Sequence, residues 1–205
     1  GWIDFNLPQL YWERGHAAAD YTTLLQWWNQ HNHGQHLYIG QDLKRSLDRQ
    51  ELQCKIRMTR EMPQVHGNCY WYGYQILENA QGVADSLQQV LHRTKALVPA
   101  YSYLHEGRPD KVKMLTEVFT EDMHFLTWNH QREPMQPEKA QKFALYRFRK
   151  GEKIDIEKAE SLLAVTPDNF WILPYEGGEN RYTYVVTALD AFGNESKGRK
   201  IKVKL

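Results

Sequence analysis

Apolar and polar positions change period about halfway along the chain. In the first hundred residues, apolar runs of strand length alternate with stretches of helical period. "WIDFNLPQLYW" (2–12) is mostly apolar and ends in the turn-like Glu13-Arg14-Gly15, which predicts a strand. A helix is expected from about Ala17, with Tyr21, Leu24, Leu25 and Trp28 on one face and Gly34 as its stop. "HLYIGQDL" (36–43) reads as the second strand. Asp48 and Glu51 resemble a capping box, after which Leu52, Ile56, Thr59 and Met62 share a helical face until Pro63. "GNCYWYGYQIL" (67–77) reads as a third strand, and Val83, Leu87, Val90 and Leu91 mark a third helix.

The strands begin near 2, 36 and 68, so they recur every 32 to 34 residues. That spacing suits successive βα units, because parallel strands need a crossover helix between them. Right-handed crossovers bring the three strand C-termini to one edge, where ligands bind in α/β folds. Beyond "LHEGRPDK" (104–111) the pattern becomes short alternating strands: 124–128, 142–148, 170–173, 181–189 and 200–205. "REPMQPE" (132–138), "RKGE" (149–152) and "DAFGNES" (190–196) supply turns, and "DIEKAESLL" (155–163) a short helical stretch. This half predicts an antiparallel sandwich.

Composition narrows the function. Lys and Arg number 26 against 25 Asp and Glu, so no basic footprint for nucleic acid exists. The lysines of "KGRKIKVKL" fit a guarded edge strand. No apolar run approaches the ~18 residues of a membrane span. Two cysteines are too few for a disulfide framework, and "HNHGQH" and "HGNC" lack the four-ligand spacing of a structural zinc site. No metal and no cofactor is expected. Seven Trp and twelve Tyr weigh more, since flat aromatic faces pack on sugar rings as well as in cores.

"DFNLPQLYW", "AADYTTLLQWW", "LYIGQ" and "VHGNCYWYGYQIL" resemble, in that order, the motif series of the glycosyl-hydrolase-like 10 family. "YTYVVTALDAFGNES" is similar to the fibronectin type III-like module that often follows that family's barrel. The resemblance implies an α/β plus all-β chain. Residues 1–108 would be the C-terminal portion, about three βα units, of a TIM (β/α)8 barrel, and residues 109–205 a fibronectin type III-like β-sandwich. It further implies a C-terminal fragment of a bacterial glycoside hydrolase acting on polysaccharide, cell-wall glycan included. Such proteins are exported to the periplasm or cell surface, through a leader or lipoprotein anchor. The family's acidic signature on an earlier strand has no counterpart here, so the main catalytic carboxylates are expected elsewhere in the parent enzyme.

Strand-end positions supply the candidate site. Gln9, Tyr11 and Trp12 close the first strand; an amide can donate and accept to sugar hydroxyls, and Trp offers a platform for a pyranose face. Gln41 ends the second strand and Trp71 or Tyr72 the third, while His16 lies in the loop after Trp12. Packing alone would also account for Trp12, for most of the Tyr70–Tyr74 cluster and, as an exposed loop residue, for His16. Glycoside hydrolysis usually takes two carboxyl groups, ~5–5.5 Å apart for retention and ~6.5–9.5 Å for inversion. Glu13 is the catalytic acid/base candidate, with Asp42 a second carboxylate near the next strand's end. The competing expectation is a non-catalytic carbohydrate-binding or adhesion module with a spacer sandwich. As a fragment, the chain is also expected to self-associate through the open edge of its first strand.

Overall fold

The computed structural model describes residues 2–130, 133 and 135–205. Gly1, and Arg132 and Pro134 of the turn expected at 132–138, lie outside the described residues. The chain divides into two compact units between Arg93 and Thr94. Residues 94–111 belong with the second unit: the Tyr101 amide donates to the Phe192 carbonyl and the Asn194 amide to that of His105.

The first unit is a parallel three-stranded sheet in the order β1-β2-β3: β1 Phe5–Asn6, β2 His36–Asp42 and β3 Val65–Trp71. The expected first strand is broken into pieces. Pro8 has no N–H to give the ladder, so β1 stops at Asn6 and pairing resumes at Gln9, opposite Gly40. There the Gly40 amide donates to the Pro8 carbonyl (2.9 Å) and the Leu10 amide to the Gly40 carbonyl (3.1 Å).

Helices α1 (Tyr21–Gln30), α2 (Leu43–Asp48) and α3 (Leu52–Glu61) follow the first two strands, α1 after β1 and α2–α3 after β2. The first helix starts later than expected because the Asp20 carboxylate caps it, accepting the Thr23 amide at 2.8 Å. Tyr21 and Leu25 turn fully inward onto Leu37 and Ile39. The expected Asp48–Glu51 capping box does not form. Asp48 ends α2 and its carboxylate accepts from Lys44 Nζ (2.8 Å), while Glu51 precedes α3 without capping it through its side chain.

The third strand ends at Trp71, six residues short of the expected Leu77. Its neighbour β2 stops at Asp42, whose side chain accepts the Arg45 amide (2.9 Å) and turns the chain into α2. Past Trp71 the ladder has no partner, and the chain coils into α4 (Tyr74–Leu77). Next, α5 (Val83–Ser86) runs into a π turn at Leu87–Leu91; Val83, Leu87 and Leu91 are buried there, and Val90 is exposed.

The second unit holds two antiparallel sheets. One is β10-β9-β6-β7, built from β6 (Lys142–Arg149), β7 (Leu162–Thr166), β9 (Arg181–Leu189) and β10 (Arg199–Lys204). The other is β4-β5-β8, from β4 (Lys113–Phe119), β5 (His124–Asn129) and β8 (Phe170–Ile172). Leu126 and Trp128 of one sheet join Phe143, Leu145, Tyr184 and Val186 of the other in a shared core. The helix expected at 155–163 shrinks to a 3-10 turn at Ala159–Ser161. Leu162 and Ala164 then alternate into the core and pair with β6, which an amphipathic helix would not allow. Strand β10 forms one edge and carries exposed Lys200, Lys202 and Lys204.

Candidate functional site at the C-terminal edge of the parallel sheet

Side chains alternate across the sheet, so the ladder register sorts the candidates onto two faces. Leu37, Ile39 and Gln41 of β2 turn toward the helices. Gly40 and Asp42 lie on the opposite, open face, with their register partners Cys69 and Trp71. Gln9 pairs with Gly40, and the Tyr11 ring passes over that glycine, 3.3 Å from where a Cβ would stand. The open face at the strand ends therefore gathers Gln9, Tyr11, Gly40, Asp42, Cys69 and Trp71.

Electrostatics bear out this grouping. Burial, then the neighbouring Cys69 and Asp42, push the Tyr11 hydroxyl above its ordinary pKa, so it stays protonated and able to donate a hydrogen bond. Trp71 is 57% exposed and Tyr72 46%, with their rings edge to face at 5.7 Å. A wet, hydrogen-bonding face with an exposed indole suits a polyhydroxylated ligand that carries an apolar ring face.

Gln41 departs from its expected place. Its side chain is fully buried on the helix side, donating to the Tyr21 hydroxyl (2.7 Å) and to Asn68 Oδ1 (2.9 Å). Asn68 in turn donates to Thr59 Oγ1 (3.0 Å), so the amide ties β2 to β3 and two helices. It is held away from any ligand on the open face. The cause is parity, since Gln41 is one residue from Gly40.

The loop after Tyr11 carries the other candidates. Trp12 is 36% exposed, its ring tilted against His16 at 6.4 Å. His16 Nδ1 accepts the amides of Ala18 (3.3 Å) and Ala19 (3.1 Å), so this imidazole shapes the loop. Glu13 sits 3.7 Å from Arg49, and its carboxyl is held below its ordinary pKa by its own backbone amide and then by Arg49. A general acid at neutral pH needs the opposite shift. Glu13 is an ionised carboxylate suited to pairing or to work as a base.

Of two residues beneath this loop, Lys55 escaped the sequence reading and Glu51 was read only as part of a capping box. Lys55 of α3 is fully buried, and its ammonium donates to the Trp12 carbonyl (2.8 Å) and to Ser46 Oγ (3.2 Å). Glu51 lies 3.6 Å from it and also accepts the Arg14 amide (3.2 Å). The signal was present: Lys55 interrupts the apolar stripe of Leu52, Ile56 and Thr59. Among the described residues no three His, Cys, Asp or Glu side chains converge as metal ligands would.

No family model matches the chain. The chain is 33% identical over 218 aligned positions to a protein named glycosyl hydrolase YngK, from Bacillus subtilis (strain 168); the alignment takes in 100% of this chain and 42% of that protein. The chain thus spans less than half the length of this relative. Among solved structures it is similar to an Fn3-like protein from Clostridium thermocellum (TM-score 0.35, 18% identity, 48% of this chain and 94% of that one). A second is FN3tt mut (TM-score 0.29, 14% identity, 47% and 93%). The chain is therefore related to a protein named as a glycosyl hydrolase, and about half of it has Fn3-like neighbours.

Proposed function

We propose that this chain is the C-terminal part of a glycoside hydrolase that acts on polysaccharide, with bacterial cell-wall glycan as the first substrate to test. The observation that carries the reading is the relation, along the whole of the chain, to a protein named glycosyl hydrolase. In this reading the three parallel strands are the last three of a (β/α)8 barrel, of the glycosyl-hydrolase-like 10 type, and the antiparallel sheets form a fibronectin type III-like sandwich. The open face then lines part of the barrel mouth, where Tyr11 and Trp71, with Trp12 from the adjoining loop, meet sugar rings and Gln9 and Asp42 meet hydroxyls. The principal catalytic carboxylates lie in the rest of the enzyme, which works outside the cytoplasm, in the periplasm or at the cell surface.

One observation favours a second reading. The rings of Trp71 and Tyr72 stand exposed at the sheet edge, where they would hold glycan equally well in a module that does not cleave it. Incubating the full-length protein with purified peptidoglycan and with plant and host glycans separates the two. Release of reducing ends supports the hydrolase; saturable binding without release supports the binding module. Neither binding nor release on any glycan would sink both.

Trp2, Ile3, Phe5 and Leu7 are exposed in and beside β1. The 205-residue chain alone is accordingly proposed to self-associate there. Sedimentation velocity should show association rising with concentration, and a clean monomer at high concentration would count against it.

A further inference from the structure

Lys55 has no exposure, and removing an ammonium from water costs several kcal/mol unless its protons are well placed. Here the ammonium donates to the Trp12 carbonyl at 2.8 Å and to Ser46 Oγ at 3.2 Å, and the Glu51 carboxylate pairs with its charge at 3.6 Å. The charge also stands 4.7 Å from the centre of the Tyr21 ring. These partners come from four places: the loop after the first strand, α1, α2 and the residue that precedes α3. Glu51 then reaches on to Arg14, through the backbone amide at 3.2 Å and Nε at 3.4 Å. The segment Trp12–Arg14 is thus fastened from beneath at two points while the Trp12 ring stays partly in solvent. An apolar side chain of equal length would fill the same space without the desolvation cost, but could not reach a carbonyl.

We infer that Lys55 is a positioning residue, which through the Trp12 carbonyl sets the height and direction of the Trp12 indole at the glycan-facing edge. The inference rests on the glycan reading of that edge. It assigns Lys55 no contact with ligand: the ammonium works from the helix side, and the loop transmits its effect. Glu51 completes the device by holding the ammonium and Arg14 at once, so that the loop cannot lift at one end.

The test uses the full-length protein labelled with 5-fluorotryptophan, in which Trp12→Phe identifies the Trp12 fluorine resonance. In Lys55→Met that resonance should shift and broaden while those of the other tryptophans stay in place. The half-saturation concentration for glycan should rise about tenfold with turnover at saturation changed less than about twofold, the split left when only uniform binding is lost. A folded Lys55→Met protein whose Trp12 resonance does not move overturns the inference, whatever its glycan affinity. If Lys55→Met does not fold, Ser46→Ala, which deletes one acceptor, is read in the same way: a smaller shift confined to Trp12 supports the role, and none overturns it. Should the wild-type protein bind no glycan, the glycan reading fails, while the resonance still decides whether Lys55 positions Trp12.

Discussion

The ring of Tyr11 lies across Gly40 of the neighbouring strand, with its Cε1 3.3 Å and the Pro8 carbonyl oxygen 3.0 Å from where a Cβ would stand. A side chain at 40 would press on both, and the carbonyl is backbone already committed to the ladder. Gly40→Ala should therefore destabilise the first unit by about 1–3 kcal/mol, the usual cost of overpacking, and displace Tyr11. Urea denaturation measures the first effect and the near-ultraviolet tyrosine signal the second. An alanine variant as stable as wild type would mean that the close approach is not needed.

Trp71 and Gln41 should part company on substitution. Trp71→Ala removes a side chain that is 57% exposed, so stability should move by less than about 0.5 kcal/mol. Glycan affinity should fall about tenfold, near 1.4 kcal/mol. Gln41→Met should do the reverse, costing about 1–3 kcal/mol of stability because Tyr21 and Asn68 lose a buried partner, and leaving affinity unchanged. Calorimetric titration alongside thermal melts checks both; the opposite pattern would restore Gln41 to the proposed binding face.

For Glu13, the ionised carboxylate beside Arg49 is not poised to protonate a leaving group. On the hydrolase reading, Glu13→Gln in the full-length protein should change turnover less than about tenfold, whereas loss of a true acid or base costs about 100-fold or more. A deficit of that size would place Glu13 in the mechanism.

His92 supplies a pH dependence. Its Nε2 lies 2.6 Å from the Tyr70 hydroxyl and its Nδ1 3.3 Å from Arg60. Burial, then the Arg60 charge, hold its pKa below the ordinary 6.5. Between that lowered value and 6.5 the unfolded chain binds more protons than the folded one. The stabilisation is complete above 6.5 and drains away as the pH falls through the folded value. Because the ring is partly exposed, the amount is less than about 1 kcal/mol. Melting temperatures recorded from about pH 8 to pH 5 should slope less in His92→Gln than in wild type; parallel slopes would remove His92 from the account.

Much of this was legible in the sequence where packing imposes one period over a long stretch. The 32–34-residue recurrence of apolar strand and helix gave the parallel sheet, and alternation along 181–189 gave its antiparallel counterpart. Legibility failed where a short-range contact decided the outcome. "QDLKRSLD" holds a six-residue helix, too short to show a period, and the cap by Asp42 that starts it also ends the strands beside it. Gln41 could not be assigned a face because β2 is hidden on both sides along most of its length, so its apolar run shows no parity. "AESLLAVT" has the composition of a helix, and only the ladder with β6 makes its second half a strand. Lys55 was overlooked because a lysine in an apolar stripe is ordinarily solvated, and here a carbonyl from a distant loop meets it.

The three lysines along β10 should decide how copies of the second unit behave when crowded. A bare edge strand would zip with its twin from another molecule. Bringing six ammonium groups into that seam opposes the match, and only as long as salt does not screen them. Copies of this unit packed densely in dilute salt should therefore stay apart, and concentrated brine is where that tolerance should give way.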